Sequence, residues 1–582
     1  MKPEDLTPSA IIAKWKKDKN YKNSMQFTAN LPKFVRFREG IQWSNKAISK
    51  WKNFPFITVN QCDFIVENKK SNILSQSITM VFNPAEVPEN MSDEEEKEIM
   101  DKSADYTDLT KNVWNMVDQD QLNSDAVDDC LVLGTAFYHY YFDSETINGQ
   151  YSNSKGKIGG EIIDPIDVAL GNPQLKPWEG NKQPYYIIKT YEDTEGLKTT
   201  AKKNGENWQL ITSDVDNDQE YESAKEDTET NNKTVAYTMY YKINKEVYWV
   251  KVTGSATIQT NRKLAPERNM DSSGERDGTG LAKFTHYPIE PLVFRPRKKS
   301  TFGRSVIEDI IPTQKGINFL YSMIAYGVQG TAWPKILAKA GALVGNSITN
   351  EPGEVITDHD VGNQGDSIKF MQPPNFSNMP PLLIDKLTDA MRQTTGANEV
   401  NSGEAIGANM AAAAINLLQA QARKPNEAYM KQLYATNKRI GYIFEDFYKC
   451  YFILPRTITK KDANGKLESK TITPSEYKDY NFELSIDVGA GGEFSEAGQF
   501  SFVQSLYEKG DINKYQLVRY APGEMVPVEM KKDFEEEEQK ILEQEEMQAE
   551  QTGQVDDIIA QLTPEEQQAV QANPALLEGL GV

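Results

Sequence analysis

An α+β fold follows from three observations on the 582 residues. Ser92-Asp93-Glu94-Glu95 has the layout of a capping box, the Ser accepting from first-turn amides and the Glu reaching back, and it opens helical segments that extend to Leu133. Gly134–Asp143 and the stretch from there to about Phe294 are rich in β-branched and aromatic residues, with Asn148-Gly149 as the positive-φ pair of a tight hairpin. From Gly303 the period changes: Val306, Ile307, Ile310, Ile311, Ile317, Leu320 and Ile324 recur at three- and four-residue steps, the stripe of an amphipathic helix.

The other elements take their places around these. Before the capping box, short basic helices carry aromatic anchors such as Trp15 and Tyr21, Phe56-Ile57-Thr58-Val59-Asn60 is extended, and helical spacing from Phe64 gives way to a strand over 76–82. Inside the β-rich stretch, 214–233 and 261–280 are polar and read as weakly ordered loops. Pro312 is expected to bend the helix after Gly303 or to mark its start. Pro and Gly in 333–370 predict short strands and turns, and 381–395 is a second helix. The longest helical run, about 406–452, is kinked by Pro425, and a hairpin follows at Asn464-Gly465. Helices at 494–507 and from Phe534 precede an acidic tail too poor in apolar residues to build a core alone.

Composition narrows the function classes. The length exceeds what one hydrophobic core serves, so several sub-domains are expected. The net charge of −21 opposes general attraction to nucleic acid, which depends on clustered Lys and Arg. Ile317–Trp333, the longest central apolar stretch, falls short of a bilayer span and reads as a packed helix. The N-terminus lacks the apolar run of a signal peptide, which predicts a protein that stays in a reducing cytoplasm, with Cys62, Cys130 and Cys450 as reduced packing residues.

Site-like features favour bland readings. His139, His286 and His359 fall in different elements, so no metal site is expected from them. Asp128-Asp129 and Asp118 with Asp120 match the acidic pairs of a metal-dependent nuclease, yet solvated helix faces carry such pairs commonly. The phosphate cradle of a P-loop motor is absent from the sequence. Arg295-Pro296-Arg297-Lys298-Lys299, the densest basic run, is open to DNA, to an acidic neighbouring subunit or to solvent. The aromatic residues Tyr429, Tyr434, Tyr442, Phe444, Phe447, Tyr448, Tyr451 and Phe452 read as core or subunit interface, because the cationic groove that accompanies base stacking is missing.

Arg36-Phe37-Arg38-Glu39-Gly40-Ile41-Gln42-Trp43, followed by Phe56–Asn60, resembles a segment near the N-terminus of the portal proteins of tailed bacteriophages. Leu131–Phe142, Ile162–Val168 and Phe302–Glu308, the last opening a helix with Gln314 and Asn318, extend that resemblance over most of the chain. It implies a non-enzymatic subunit of a ring, a dodecamer by the family's habit, at one capsid vertex of the virion, assembled in the host cytoplasm, with no cofactor and no metal. The ring would carry about 250 formal negative charges.

The resemblance also implies a division of labour along the chain. Residues 1–300 would be an α+β wing, 301–332 and 377–395 two stem helices, 333–376 a clip between them, and 396–409 a tunnel loop. Residues 410–453 would form a long kinked helix, 454–530 the rest of the wing and the start of a crown, and 531–582 an acidic helical crown or tail. Asn398, Glu399, Asn401, Ser402, Glu404 and Asn409 would line the channel without any basic residue to grip a phosphate. Lys339, Asn346, Asn350 and Asp358 would dock partners at the clip. The implied partners are further copies of the chain, the terminase large subunit, capsid or scaffold protein, neck and tail adaptors, and double-stranded DNA in transit, with no membrane. The alternatives are the nuclease using Asp128 and Asp129, or another virion component such as an adaptor or capsid protein.

Overall fold

The computed structural model describes residues 3–51, 54–85, 93–143, 156–213, 233–264, 283–332, 336–338, 368–370, 379–396, 412–461, 467–474, 477, 480–488, 503–504, 507, 509–510, 512–520, 534, 537 and 540. It divides into one unit over Met1–Asp487 and a second over Val488–Val582. The mixture of helix and strand is the α+β class expected.

In the first unit, helices α1 (Pro8–Ser24), α2 (Phe27–Arg38), α3 (Asn45–Lys50) and α4 (Gln61–Ile73) precede strand β1 (Ile78–Pro84). The helix predicted after Ser92 begins at Asp93 and is broken once, at Asp118 with φ 56°, giving α5 (Asp93–Val117) and α6 (Gln119–Leu133). Ser92 itself lies outside the described residues.

Strand β2 (Ala136–Asp143) pairs antiparallel with β3 (Lys157–Ile163), as the hairpin reading requires, and Asn148-Gly149 fall outside the described residues. A second sheet contains β4 (Val168–Leu170), β5 (Tyr185–Asp193), β6 (Lys233–Ile243), β7 (Glu246–Thr253) and β8 (Thr257–Lys263), all antiparallel and in that order. The period of two on β6 decides what packs where. Val235, Tyr237, Met239 and Tyr241 meet Ile11 and Trp15 of α1, whereas Ala236 on the opposite face joins Leu197 and Ala201 of α7 (Thr194–Lys203). Helix α7, capped by Asp193, was not expected from the β-rich composition, because a ten-residue amphipathic turn is easily lost among strands. The loop expected over 261–280 starts later than the polarity suggested: residues 261–263 complete β8.

Strand β9 (Ile289–Leu292) flanks β2 on the side away from β3. Helix α8 (Val306–Ala332) starts six residues before Pro312 and runs through it. Short strands β10 (Ile336–Ala338) and β11 (Ile368–Phe370) pair antiparallel and close the insert before α9 (Met379–Thr395). Helix α10 (Ala412–Tyr451) contains Pro425, and β12 (Arg456–Lys461) pairs with β13 (Leu467–Ile472) about the expected hairpin. Strand β14 (Phe482–Val488) returns to pair with β1.

The core gathers α4, α5, α6, the three-stranded sheet, the first turns of α8 and the second half of α10. Phe444, Phe447, Tyr448 and Phe452 are buried in it, and all three cysteines are buried and form no disulfide. In the second unit, α11 (Lys514–Tyr520) is followed by helical positions Phe534, Glu537 and Lys540, with Tyr515 edge-on to Phe534 and Lys514 3.6 Å from Glu537.

Candidate functional site

Helix α8 meets the rest of the chain through a row of polar side chains that repeats every four residues. Gln314, Asn318 and Ser322 lie on one buried face, opposite the extended segment 57–61. Ser322 Oγ accepts from the Ile57 N–H at 2.9 Å, Asn318 Oδ1 from the Val59 N–H at 3.1 Å, and Gln314 Oε1 from the Gln61 N–H at 3.2 Å. The match is geometric. Alternate residues of an extended chain advance by about 6.6 Å and every fourth helical residue by about 6.0 Å, so three successive rungs stay in step when the two run antiparallel. Each rung satisfies a backbone donor that is otherwise orphaned beside an apolar helix.

Crosslinks tie the rungs together and to α2. Gln314 Nε2 donates to Val59 O at 2.6 Å and to Asn318 Oδ1 at 2.9 Å, and Asn318 Nδ2 donates to Gln42 Oε1. Gln42 Nε2 in turn donates to Phe37 O and to Asn60 Oδ1, both at 2.9 Å, while Asn60 Nδ2 reaches Arg38 O. Gly40, at φ +83°, makes the turn that brings Gln42 back. Trp43 donates from Nε1 to Ile57 O and packs edge-on against Phe54 and Phe56, and Phe54 also stacks on Phe319 of α8. The Gly40-Ile41-Gln42-Trp43 and Phe56–Asn60 motifs are therefore the two halves of a seat for α8. Of the rungs, Ser322 was not legible beforehand, although a Ser spaced four residues after Asn318 in an apolar helix was the available signal.

The start of α8 is fixed as tightly. Gly303 N donates to Thr135 Oγ1 at 2.9 Å, and a Cβ at Gly303 would lie 2.3 Å from Gly134 O, so two glycines press backbone on backbone where α6 ends and α8 begins. Glu308 and Asp309 in the first turn of α8 complement the positive helix end and engage Arg295, Arg297 and Arg304. The two arginines of the basic run are thus paired within the chain. Lys298 and Lys299 remain exposed.

The far end of α8 differs from the packed helix expected over 317–333. Phe319, Tyr321, Met323, Tyr326 and Val328 are 36–61% exposed, and Met379, Leu382 and Leu383 on neighbouring α9 are 48–66% exposed. Among the described residues no helix is long and apolar enough to cross a membrane. Phe319, Met323 and Tyr326 recur at four- and three-residue steps on one side of α8, and a half-exposed apolar side of this kind marks an interaction surface.

The residues expected to line a channel, Asn398, Glu399, Asn401, Ser402, Glu404 and Asn409, those expected to dock partners, Lys339, Asn346, Asn350 and Asp358, and His359 all lie outside the described residues. The structure describes their flanks. Gly396, at φ +72°, ends α9 and packs on Pro425 of α10.

The acidic pair has ordinary partners. Asp128 lies 3.5 Å from Arg38 and 3.8 Å from Lys70, and among the described residues no group of three His, Cys, Asp or Glu side chains is placed to hold a metal ion. Burial, with Asp164, Asp128 and Asp125 adding repulsion, pushes the Asp129 carboxyl up to about 7. Because the folded chain then binds the proton more tightly than the unfolded one, stability falls as pH rises from about 4 to 7. Asp129→Asn should therefore raise the unfolding free energy by about 4 kcal/mol at pH 8 and leave it nearly unchanged at pH 4, read from melting curves at the two pH values. His139 pairs with Glu161 at 2.8 Å and His286 with Asp446 at 2.9 Å, in separate places.

Comparison with family models matches residues 30–577 to the phage P22-like portal protein. No curated protein matches the chain.

Proposed function

The chain belongs to the phage P22-like portal protein family, a structural family of the virion, and on that premise we propose that copies of it close into a ring whose central channel passes DNA. The observation that carries this reading is how α8 divides its surface. One row is bolted to the chain's own 57–61 segment by three rungs; a flanking face, with neighbouring α9, presents Met323, Tyr326, Leu382 and Leu383 at 40–54% exposure. Copies set side by side around an axis would bury that face, and the ion-paired start of α8 would hold each helix at a fixed tilt.

In this reading α8 and α9 are the stem, the segment between them docks the terminase during packaging and neck adaptors afterwards through Lys339, Asn346, Asn350 and Asp358, and 397–409 lines the channel. The chain acts without catalysis or cofactor. Its net charge of −21 repels DNA that is not threaded through the ring.

Mass photometry and negative-stain microscopy of the purified chain should show rings with a central hole. Met323→Glu combined with Val328→Asp should reduce them to single chains, with the melting temperature of the single chain little changed because both sites are exposed. A wild-type protein that stays monomeric at all concentrations, or a doubly charged variant that still forms rings, would defeat the reading. Deleting 397–409 should leave rings intact and abolish packaging or retention of DNA, scored by the genome content of particles.

A further inference from the structure

Lys69 of α4 is 1% exposed, and among the described residues no carboxylate lies within ion-pair distance of its ammonium. Nζ donates to Asn426 Oδ1 at 3.0 Å and sits 4.6 Å from the centre of the Tyr429 ring. Both partners belong to α10, directly after Pro425. A second polar group is uncompensated at the same spot: Asn426 Nδ2 is buried without an acceptor. Pro425 removes the helical hydrogen bond that would otherwise stiffen this turn. Gly396 rests on the Pro425 ring, so the end of α9 touches the same joint.

Buried charge without a counter-ion, and a buried amide N–H without an acceptor, each cost free energy that an apolar contact would not. Two such groups beside a proline inside the helix make a contact that is closed but poorly stabilised. We infer that the α4–α10 contact at Pro425 is a built-in joint, which opens by letting Lys69 reach water and carries with it the arm of α10 over 412–424. At about 1.5 Å per residue that arm is about 20 Å long, so a small rotation at the joint displaces its tip by several ångströms.

The charged groups around the joint support opening. Arg295, from the segment after β9, adds a second positive charge and is itself held by Asp309 of α8. From α6, Asp128 pairs with Arg38 and Lys70 rather than with Lys69, and Cys130 faces Tyr429 as a buried thiol. Burial and Arg295 lower the Lys69 ammonium to about 8. Opened to water it would return toward about 10.5. The proton therefore favours the open joint, most strongly below pH 8, and the preference fades between pH 8 and 10.5.

Hydrogen exchange of the assembled full-length protein, read by mass spectrometry and corrected for intrinsic rates, tests this. At pH 7, Lys69→Met, which replaces the ammonium by an apolar chain of similar length, should slow exchange at least tenfold in peptides covering 420–430 while leaving 440–450 unchanged. Asn426→Asp, which supplies the missing counter-charge, should slow the same peptides. The gap between wild type and Lys69→Met should narrow as pH rises from 8 to 10. If Lys69→Met fails to fold, if either variant exchanges as fast as wild type or faster, or if the gap ignores pH, the contact is an ordinary anchor and the joint is ruled out.

Discussion

Asn318→Leu is expected to lower the unfolding free energy of the first unit by about 3–5 kcal/mol. The substitution keeps the size of the side chain and removes its hydrogen bonds. It strands the Val59 N–H and Gln42 Oε1, and takes one of the two acceptors of Gln314 Nε2. All of these atoms sit against a buried helix face where water does not substitute, and each stranded group costs about 1–3 kcal/mol. Denaturant melts of single and double variants should also show coupling: Gln42→Leu and Asn318→Leu share a bond, so together they should cost at least about 1 kcal/mol less than the sum of the two alone. An Asn318→Leu protein that melts like wild type would show that the ladder contributes nothing. The same variant bears on the proposed ring, because a stem helix released from 57–61 no longer presents its apolar side at a fixed angle.

The second large effect is expected at the glycine pair. Gly303→Ala places a methyl 2.3 Å from Gly134 O and 2.6 Å from Val293 Cγ1, and the nearest obstacle is backbone, which cannot rotate away. Opening the junction enough to admit it should cost about 3 kcal/mol or more. Gly134→Ala meets the backbone of Arg304 and Ser305 at 2.9 Å and must also hold φ at +89°, so it should be comparably severe. A control at Gly205, which also has positive φ but nothing within 4 Å, separates the two causes: Gly205→Ala should show only the conformational penalty of about 1 kcal/mol. Equal losses at Gly205 and Gly303 would show that close packing at the junction is not the reason.

Much of the architecture was readable beforehand because its signals are local. Helix periods and the capping-box spacing act within one or two turns, and they anticipated α5, α6, α8, α9 and the body of α10, whereas Pro312 did not mark the start of α8. The basic run before α8 was readable as charge but not as pairing: its arginines reach Glu308 and Asp309, eleven and fourteen residues on, only because the β-bridge between Pro296 and Gly303 folds the segment back. The apolar stretch after Ile317 was misread as packed because composition reports that a face is apolar and not whether the same chain covers it.

The sequence by itself determined that Gln314 and Asn318 sit in one apolar helix, and that Gln42 and Asn60 belong to a recurring segment near the N-terminus. Only the tertiary structure decided that these are one network, since its partners are separated by more than 250 residues and no local rule spans that distance. Lys69 and Lys70 show the same division at a single step. In sequence they are adjacent lysines; in the fold, neighbours on a helix point about 100° apart. That turn sends Lys70 toward Asp128 and Lys69 into the core beside Asn426, where no counter-ion faces it among the described residues.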